Sequence, residues 1–357
     1  MAHPRDDHLQ EKGASLRAGL KQSTRPDPLR VAGEDARDEA ARAQALPRIV
    51  HGEGRRLADW VRANARTLPD LLHGVGGVLF RGFEVGGVDG FREVCLGCID
   101  DLMPYQERST PRSELGDRIY TSTAYPDDQT ILLHNEFSYA QAWPLRICFH
   151  ALKPSEGGGE TPIADSRRIY LNIPPHVRDP FVRKGVMYVR RYGHGLDLSW
   201  QETFCTEDKA EVAAYCRRNA ISFTWDGDRL TTRQVRPAVA RHPITGETLW
   251  FNQAHLFHRS ALPPDVREAM ERVLNDDFPR EALYGDGTPI EPAALALIGA
   301  AFDEAKVVFR WEKDDVLLLD NMLVCHGRNP VQGERKVLVA MGESVSRDET
   351  TAVAGPR

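Results

Sequence analysis

The sequence has little of what marks several common classes of protein. Its 357 residues contain no basic block interleaved with aromatics, and the formal net charge is −6, so no nucleic-acid-binding surface is predicted. No apolar run approaches the roughly 18 residues that span a bilayer. The N-terminal residues also lack the apolar segment of a secretory signal. We therefore expect a cytoplasmic protein that binds neither nucleic acid nor a membrane.

Cysteine is scarce as well. Six cysteines spread over the chain do not form the dense framework of a disulfide-stabilised protein. Cys95 and Cys98 form one CxxC inside the amphipathic run "FREVCLGCIDDLM". Because no second CxxC and no nearby histidine accompany it, we expect these thiols to pack a helix and not to bind zinc or carry redox chemistry.

The pattern of polar and apolar residues divides the chain into two parts. Residues 1–45 are polar and predict a mobile extension, whereas residues 46–350 are expected to form the main domain. A helix is expected around Leu57–Leu72, with a break at Pro69. Helices are also predicted at 168–184, 206–218 and 263–275. Strands are predicted at 131–136, 145–151, 220–225, 247–252, 306–311, 315–320 and 335–342.

These elements do not alternate regularly as strand and helix, which argues against a doubly wound parallel sheet. The run "FRWEKDDVLLLDN" indicates two β segments joined by a charged turn. The predicted fold is mainly β with helical insertions, built on a distorted double-stranded β-helix, or jelly roll.

The apolar strand "TILLHNE" ends in an imidazole and a carboxylate two residues apart. On a strand, residues i and i+2 project to the same face, so His134 and Glu136 are predicted to point to one place. They would supply two thirds of a 2-His-1-carboxylate site, which binds non-haem Fe(II) and leaves other positions open. An exposed strand end with two polar residues is the alternative.

A third ligand and an anion-binding group are available further along the chain. His326 follows the apolar run "LLLDNMLVC", which places it at the mouth of a sheet. An enzyme that combines Fe(II) with 2-oxoglutarate must bind the distal carboxylate of the keto acid. The planar fork of Arg335 suits that task, and Thr161 in "GGGET" offers a hydroxyl. A surface ion pair for Arg335 and a strand position for Thr161 are the alternatives.

Several motifs together carry a family resemblance. The blocks "GVLFRGF", "LHNE", "WPLRICFHALKPSEGGGETPIADSR", "RHPITGETLWFNQ" and "DNMLVCHGRNPVQGERKVLV" occur in order over roughly residues 75–345. They resemble the TauD/TfdA-like superfamily of Fe(II)/2-oxoglutarate-dependent dioxygenases. The branch of syringomycin-type hydroxylases and clavaminate-synthase-like enzymes is the most similar.

The resemblance implies three cofactors or cosubstrates, Fe(II), 2-oxoglutarate and O2. It implies that His134, Glu136 and His326 are the iron ligands, and that Thr161 and Arg335 contact 2-oxoglutarate. Two departures stand out. Glu replaces the commoner Asp of the HxD motif, as in the clavaminate-synthase and amino-acid-hydroxylase branch. A second Arg found in many relatives four residues after the first is Val339 here, so Arg335 acts alone or with Lys336.

Substrate contacts are less defined. Arg328 either contacts a substrate carboxylate or anchors a loop through a salt bridge. Asn252 and Gln253, at the end of a predicted strand, are candidate hydrogen-bonding groups of the substrate pocket.

Four further histidines were weighed as site residues. His255 and His258 could form a helical metal pair, but a helix cap or a pocket wall is favoured because no carboxylate accompanies them. His242 is expected to be structural, and His194 could touch substrate from a loop.

The predicted function is hydroxylation of an amino acid or an amino-acid-derived intermediate in natural-product biosynthesis, free or tethered to a carrier protein. Desaturation, cyclisation or epoxidation with the same cofactors is one alternative. A non-catalytic jelly-roll protein that binds a small acid is the other.

Overall fold

The computed structural model describes residues 45–104, 114–122, 125–274 and 277–350. The predicted N-terminal extension therefore lies outside the described residues, apart from Ala45, and it stays a prediction, as does the boundary of the main domain. No helix in the described ranges is long and apolar enough to cross a membrane.

Strands supply most of the framework of the described residues. They are β1 (Arg48–His51), β2 (Gly77–Arg81), β3 (Glu114–Gly116), β4 (Ile119–Thr121), β5 (Ile131–His134), β6 (Ala142–Lys153), β7 (Gly157–Gly158), β8 (Ile163–Asp165), β9 (Val186–Tyr192), β10 (Ser222–Asp226), β11 (Arg229–Arg236), β12 (Val239–Arg241), β13 (Thr248–Trp250), β14 (Arg280–Tyr284), β15 (Lys306–Val307), β16 (Val316–Asp320), β17 (Val324–Arg328), β18 (Val331–Gln332) and β19 (Lys336–Ser346).

Helices are inserted between these strands. They are α1 (Leu57–Ala63), α2 (Leu68–Val75), α3 (Gly87–Cys98), α4 (Ser166–Asn172), α5 (Pro175–Lys184), α6 (Trp200–Phe204), α7 (Lys209–Arg218), α8 (Ala254–Phe257), α9 (Pro264–Leu274) and α10 (Pro292–Ala305), with a 3₁₀ turn at Arg259–Ala261.

Two sheets form the jelly-roll core. The larger has seven strands in the order β1-β2-β16-β6-β19-β4-β3, and the smaller has four in the order β15-β8-β17-β5. Strand β16 lies between β2 and β6, and all five of its residues are buried, as its apolar sequence "VLLLD" predicts. The two sheets meet through Phe149 of β6, whose ring centroid lies 5.0 Å from that of His326 on β17. The predicted fold class, mainly β with helical insertions on a jelly-roll core, is confirmed.

A second four-stranded sheet, in the order β10-β11-β9-β14, belongs to the insertion between the core strands. Of its four strands only β10 is among the predicted ones, and helix α10 is not predicted either. Helix α10 begins with Pro292, whose fixed φ favours the first helical turn, and its apolar side packs into the main core. The run "PAALALIGAAF" was therefore readable as a helix from its own composition.

Two local predictions are corrected by the structure. The helix predicted at 168–184 is two helices, because Pro174 and Pro175 cannot continue the hydrogen bonding of α4. The segments at 306–311 and 315–320 do not form a hairpin. Strand β15 pairs with β8, whereas β16 pairs with β2 and β6.

Two other predictions are confirmed. Pro69 lies in the first turn of α2, separate from α1, so the expected break is present. Cys95 and Cys98 are buried on α3, and their thiols lie against that of Cys148. Burial raises the pKa of Cys95 and Cys148, and the contact with Cys148 followed by burial raises that of Cys98, so all three pack as neutral thiols.

Candidate active site

Strand pairing brings two of the predicted ligands together. His134 on β5 and His326 on β17 are directly opposite each other in an antiparallel pair, with ring centroids 4.7 Å apart. Gly327 makes this approach possible, since a Cβ there would lie 2.6 Å from the carbonyl oxygen of Ile131. The two imidazoles, separated by almost 200 residues of chain, are therefore neighbours because of sheet register.

Glu136 reaches the same place by a different route from the one predicted. Strand β5 ends at His134, so Glu136 follows in a turn and does not share a strand face with it. The side chain of Asn321 holds that turn. Its Oδ1 accepts from the Glu136 amide at 2.7 Å, and its Nδ2 donates to the Glu136 carbonyl at 3.0 Å. The side-chain amide of Asn321, a residue of the "LLLDN" run, thus positions Glu136 in place of the strand geometry that was predicted to do so.

The three side chains form a candidate metal site. One ligand atom from each of His134, Glu136 and His326 lies within 4.8 Å of the other two. The Glu136 Oε2 to His326 Nε2 distance is 3.9 Å. The Nδ1 of His134 lies 2.7 Å from the carbonyl oxygen of Leu132, which can only accept, so Nδ1 carries the proton and Nε2 is left to bind a metal.

The backbone around these ligands is held by buried amides. Gln253 donates from Nε2 to the carbonyl of Asn135, the residue between His134 and Glu136, at 2.8 Å. Asn252 donates to the carbonyl of Ala238 and accepts from a backbone amide. Their polar groups are thus committed to the backbone, and neither side chain lines the cavity next to the metal site. The structure gives no support to the prediction that they contact substrate.

Strand β5 has a further support in His255. Its Nε2 lies 2.8 Å from the carbonyl oxygen of Leu133, so that nitrogen donates the hydrogen bond. Burial lowers the pKa of His255 to about 4, which keeps the ring neutral near pH 7. His258 caps the following 3₁₀ turn by accepting from the amide of Ser260. These contacts match the favoured interpretation of both residues as a cap or pocket wall.

Arg335 is held on the other side of the cavity. Its Nε donates to the carbonyl of Gly159 at 2.8 Å, and its Nη2 donates to Thr161 Oγ1 at 3.3 Å. Gly159 has a φ of +67°, and a Cβ there would lie 3.0 Å from the Arg335 side chain, so the glycine run gives the guanidinium its room. Burial, followed by the positive charge of Arg328, lowers the pKa of Arg335 to about 10, so it stays charged at pH 7.

The hydroxyl of Thr161 can still donate one hydrogen bond. Its Oγ1 accepts from Trp311 Nε1 at 3.1 Å as well as from Arg335, which engages both lone pairs of the oxygen. The hydroxyl proton is then available to an acceptor in the cavity. Ser122 adds a second hydroxyl, 3.4 Å from Arg335 Nη1, because its amide donates to the carbonyl of Val337 on β19.

The cavity that joins these groups has a volume of about 40 Å³. One side carries His134 and His326, and another carries Thr161 and Arg335. Apolar side chains separate the polar groups: Ile131, Phe149, Val337 and Val339. The lining therefore combines two imidazoles and a guanidinium with apolar walls.

The remaining candidates lie as follows. Both Nη atoms of Arg328 donate to backbone carbonyls of the loop 125–129, so it anchors that loop by hydrogen bonds and not by a salt bridge. His242 is fully buried and lies 3.0 Å from Asp320 Oδ2, which is a structural role. His194 lies 3.4 Å from Asp277. Lys336 is exposed and is not among the residues that line the cavity, so it does not join Arg335 in the cavity wall.

Sequence reasoning missed Asn321, Ser122 and Trp311. Asn321 could have been suspected, because a polar residue after four buried apolar ones must bond to something. Nothing near Ser122 or Trp311 in the chain distinguishes either residue.

Comparison with known proteins agrees with this geometry. The profile of the taurine catabolism dioxygenase TauD, TfdA family matches residues 42–341. The chain is 42% identical to the dapdiamide synthesis protein DdaC of Enterobacter agglomerans, over 78% of this chain and 85% of that protein. It is 31% identical to a clavaminate synthase-like protein of Arabidopsis thaliana, over 79% of this chain and 86% of that protein.

Solved structures with a similar course of the chain include PvcB of Pseudomonas aeruginosa, described as an Fe, alpha-ketoglutarate dependent oxygenase from an isonitrile synthetic pathway. It aligns with a TM-score of 0.48 and 15% identity, over 82% of this chain and 84% of that one.

The residues present fit the cofactors of this family. Two imidazoles and a carboxylate are a donor set for Fe(II), and their ligand atoms converge within 4.8 Å of one another. A buried guanidinium with two hydroxyls beside it suits a carboxylate. With the profile match over most of the sequence, the chain belongs to the TauD, TfdA family and is an Fe(II)- and 2-oxoglutarate-dependent dioxygenase.

Proposed function

We propose that His134, Glu136 and His326 bind the Fe(II), and that Arg335 and Thr161 bind the distal carboxylate of 2-oxoglutarate. The single observation that carries this assignment is the shared cavity, which is lined by both imidazoles and by the guanidinium of Arg335. A keto acid with carboxylates at both ends can chelate a metal at one end and meet Arg335 at the other.

When bound, Fe(II) with 2-oxoglutarate and O2 supplies the oxidation of a C–H bond, with succinate and CO2 as coproducts. The residues of the protein orient the bound groups and shield them from water. His134 keeps Nε2 toward the metal because Leu132 engages Nδ1. Thr161 directs its proton into the cavity, and the apolar walls exclude water, which strengthens each polar contact.

We infer that the substrate is an amino acid or an amino-acid-derived intermediate of natural-product biosynthesis, and that it is hydroxylated. The 42% identity to a dapdiamide synthesis protein supports this class. A tethered substrate would require a carrier protein as partner. A cytoplasmic location stays a prediction from the sequence.

A second cavity supports an amino-acid-like substrate. It has a volume of about 380 Å³, shares Ile131 with the first cavity and is lined by Asp197 and Arg280. These two form a bidentate pair at 2.5 and 2.6 Å. Burial alone would raise the pKa of Asp197, but Arg280 lowers it below the usual value, so both groups are charged. Paired charges of opposite sign complement the ammonium and carboxylate of a zwitterion.

The same cofactors can also desaturate, cyclise or epoxidise, and the ligand set does not distinguish these outcomes. The alternative of a non-catalytic binding protein has no support, since the family is one of dioxygenases.

The test is a screen of amino acids, free and carrier-bound, with Fe(II), 2-oxoglutarate and ¹⁸O2. We expect substrate-dependent succinate and a product heavier by one labelled oxygen, both absent from the His134→Ala variant. A product lighter than the substrate by two hydrogens would indicate desaturation or cyclisation in place of hydroxylation. Incorporation of the label across a C=C bond of the substrate would indicate epoxidation. If no amino-acid-type compound stimulated succinate release above the basal rate, the proposed substrate class would be wrong.

A further inference from the structure

Two guanidinium groups line the cavity proposed for 2-oxoglutarate. Arg328 on β17 and Arg335 before β19 both contribute to its wall, and no acidic side chain in the described part of the chain lines it. Burial and then the charge of Arg328 lower the pKa of Arg335, while Asp127 and Glu160 oppose that shift. A cavity with two buried cations and no lining carboxylate is prepared for an anion with more than one negative charge.

The three nitrogens of Arg328 have different roles. Nη1 donates to the carbonyl of Tyr125 at 3.1 Å, and Nη2 donates to the carbonyls of Pro126 and Gln129 at 2.5 and 3.1 Å. Nε is buried and has no hydrogen-bond partner within the described ranges. The residue as a whole is only 7% exposed.

A buried N–H of a charged group without an acceptor is costly, and buried polar groups in folded proteins almost always have a partner. The other two nitrogens already bond to the loop, and Arg328 lines the cavity, so a molecule bound in the cavity is a candidate acceptor for Nε.

We infer that Arg328 is a second cosubstrate-binding arginine, whose Nε donates to a carboxylate of bound 2-oxoglutarate while its Nη atoms hold the loop 125–129. This inference rests on the proposed placement of 2-oxoglutarate between the metal and Arg335. Its consequence is a physical link between the occupancy of the first cavity and the order of the loop.

The loop is also part of the second cavity. Tyr125 and Thr130 line that cavity, and the carbonyl of Asp127 accepts from the Val331 amide at 2.7 Å, just after β17. An anion that fixes Nε restricts the rotation of the Arg328 guanidinium and thereby strengthens its three bonds to the loop. Binding of 2-oxoglutarate therefore completes a wall of the proposed substrate chamber before substrate enters.

The first test measures 2-oxoglutarate binding to the Mn(II)-loaded protein by calorimetry without O2, so no turnover is involved. Arg328→Lys retains the positive charge but loses the Nε donor, and we expect roughly ten- to hundredfold weaker binding. Arg347→Lys is the matched control. Arg347 also donates to two backbone carbonyls, those of Ala140 and Ser138, but lies outside the described cavity lining, so its variant should bind within about twofold of the native protein.

The second test needs no variant and applies even if Arg328→Lys fails to fold. Hydrogen exchange of the peptide covering residues 125–130 should slow when 2-oxoglutarate is added to the native Mn(II) protein, and it should not slow when acetate is added. Unchanged exchange would overturn the link to the loop.

The outcomes separate this inference from the assignment on which it depends. If Arg335→Lys weakens binding but Arg328→Lys does not, Arg328 is only a loop anchor and the inference is wrong. If neither variant changes the affinity for 2-oxoglutarate, the placement of the cosubstrate itself is wrong. Weakening by both, with the Arg347 control unaffected, supports both.

Discussion

At the scale of single residues, the site depends on ligands that cannot replace one another. His134 and His326 are the two imidazoles of a donor set that holds only one carboxylate. Neutral imidazoles bind first-row metals tightly, and loss of even an outer-shell partner of a metal ligand costs 10–100-fold in affinity.

We therefore predict that His134→Ala and His326→Ala each weaken Mn(II) binding by at least roughly 100-fold and abolish 2-oxoglutarate turnover. Titration calorimetry and a succinate assay measure the two effects, and far-UV circular dichroism checks the fold. His51→Ala, at an exposed histidine of β1, is the control and should bind the metal normally. Near-native turnover by either site variant would remove that residue from the ligand set.

Glu136 carries a second prediction, which concerns the outcome of the reaction in the presence of halide. Its carboxylate belongs to the candidate metal site, where it would occupy a metal position that a halide needs. We predict oxygenated and no halogenated product from the native protein with saturating chloride or bromide, measured by product mass. Glu136→Asp should retain measurable activity because the charge survives, and Glu136→Ala should lose most of it. A halogenated native product would show that Glu136 does not bind the metal.

At the scale of elements, the pairing of β5 with β17 sets the distance between the two imidazoles. A Cβ at position 327 would lie 2.6 Å from the Ile131 carbonyl oxygen, so the strands must separate to admit one. We predict that Gly327→Ala destabilises the fold by about 1–3 kcal/mol and weakens metal binding. Gly299→Ala is the control, because that helical position has open space and alanine there stabilises by up to ~1 kcal/mol.

Chemical denaturation followed by fluorescence would give both free energies of unfolding. Equal stability of Gly327→Ala and the native protein would mean that the close approach of the strands has no energetic importance.

The contact between α8 and β5 makes stability depend on pH. The pKa of His255 is lowered from 6.5 to about 4 by burial, so below pH 6.5 the unfolded chain binds a proton that the folded protein does not. Stability contributed by neutral His255 is therefore complete above pH 6.5 and is lost as the pH falls toward 4, by roughly 3 kcal/mol at most. His255→Gln removes this titration while keeping a donor for the Leu133 carbonyl.

Denaturation between pH 4 and 7 checks this prediction. We expect the stability difference between the native protein and His255→Gln to change in favour of the variant as the pH falls. A difference that stays constant over this interval would contradict it.

At the scale of the whole molecule, the candidate site draws on both sheets of the core. His134 and His326 belong to the smaller sheet, whereas Ser122 and Arg335 flank strands of the larger one. Unfolding separates the sheets and so must release any ligand that bridges them.

We therefore predict that Mn(II) with 2-oxoglutarate raises the melting temperature. At a concentration of 100 times the dissociation constant, binding adds about 2.7 kcal/mol, which corresponds to roughly 4 °C for a protein of this size. Differential scanning fluorimetry measures the shift, and Glu136→Ala, which lacks one metal donor, should show a smaller one. A shift from 2-oxoglutarate that is independent of metal and of Arg335 would place the anion elsewhere.

The sequence by itself determined the chemistry of the site. Imidazole, carboxylate, guanidinium and hydroxyl are properties of single residues, and the order of the motifs around His134, Thr161, His326 and Arg335 is fixed along the chain. Strongly apolar strands such as β16 can also be recognised from the sequence, because a buried strand has apolar side chains wherever it lies in the sheet.

Only the tertiary structure decided how these groups converge. Glu136 is positioned at the candidate metal site by the Asn321 side chain and not by the alternation of side chains along a strand. Asn252 and Gln253 donate hydrogen bonds to backbone carbonyls and do not line the cavity. Arg328 bonds to a loop two hundred residues earlier in the chain. Such contacts depend on sheet register and on which distant segments pack together, and no local pattern of residue types encodes either one.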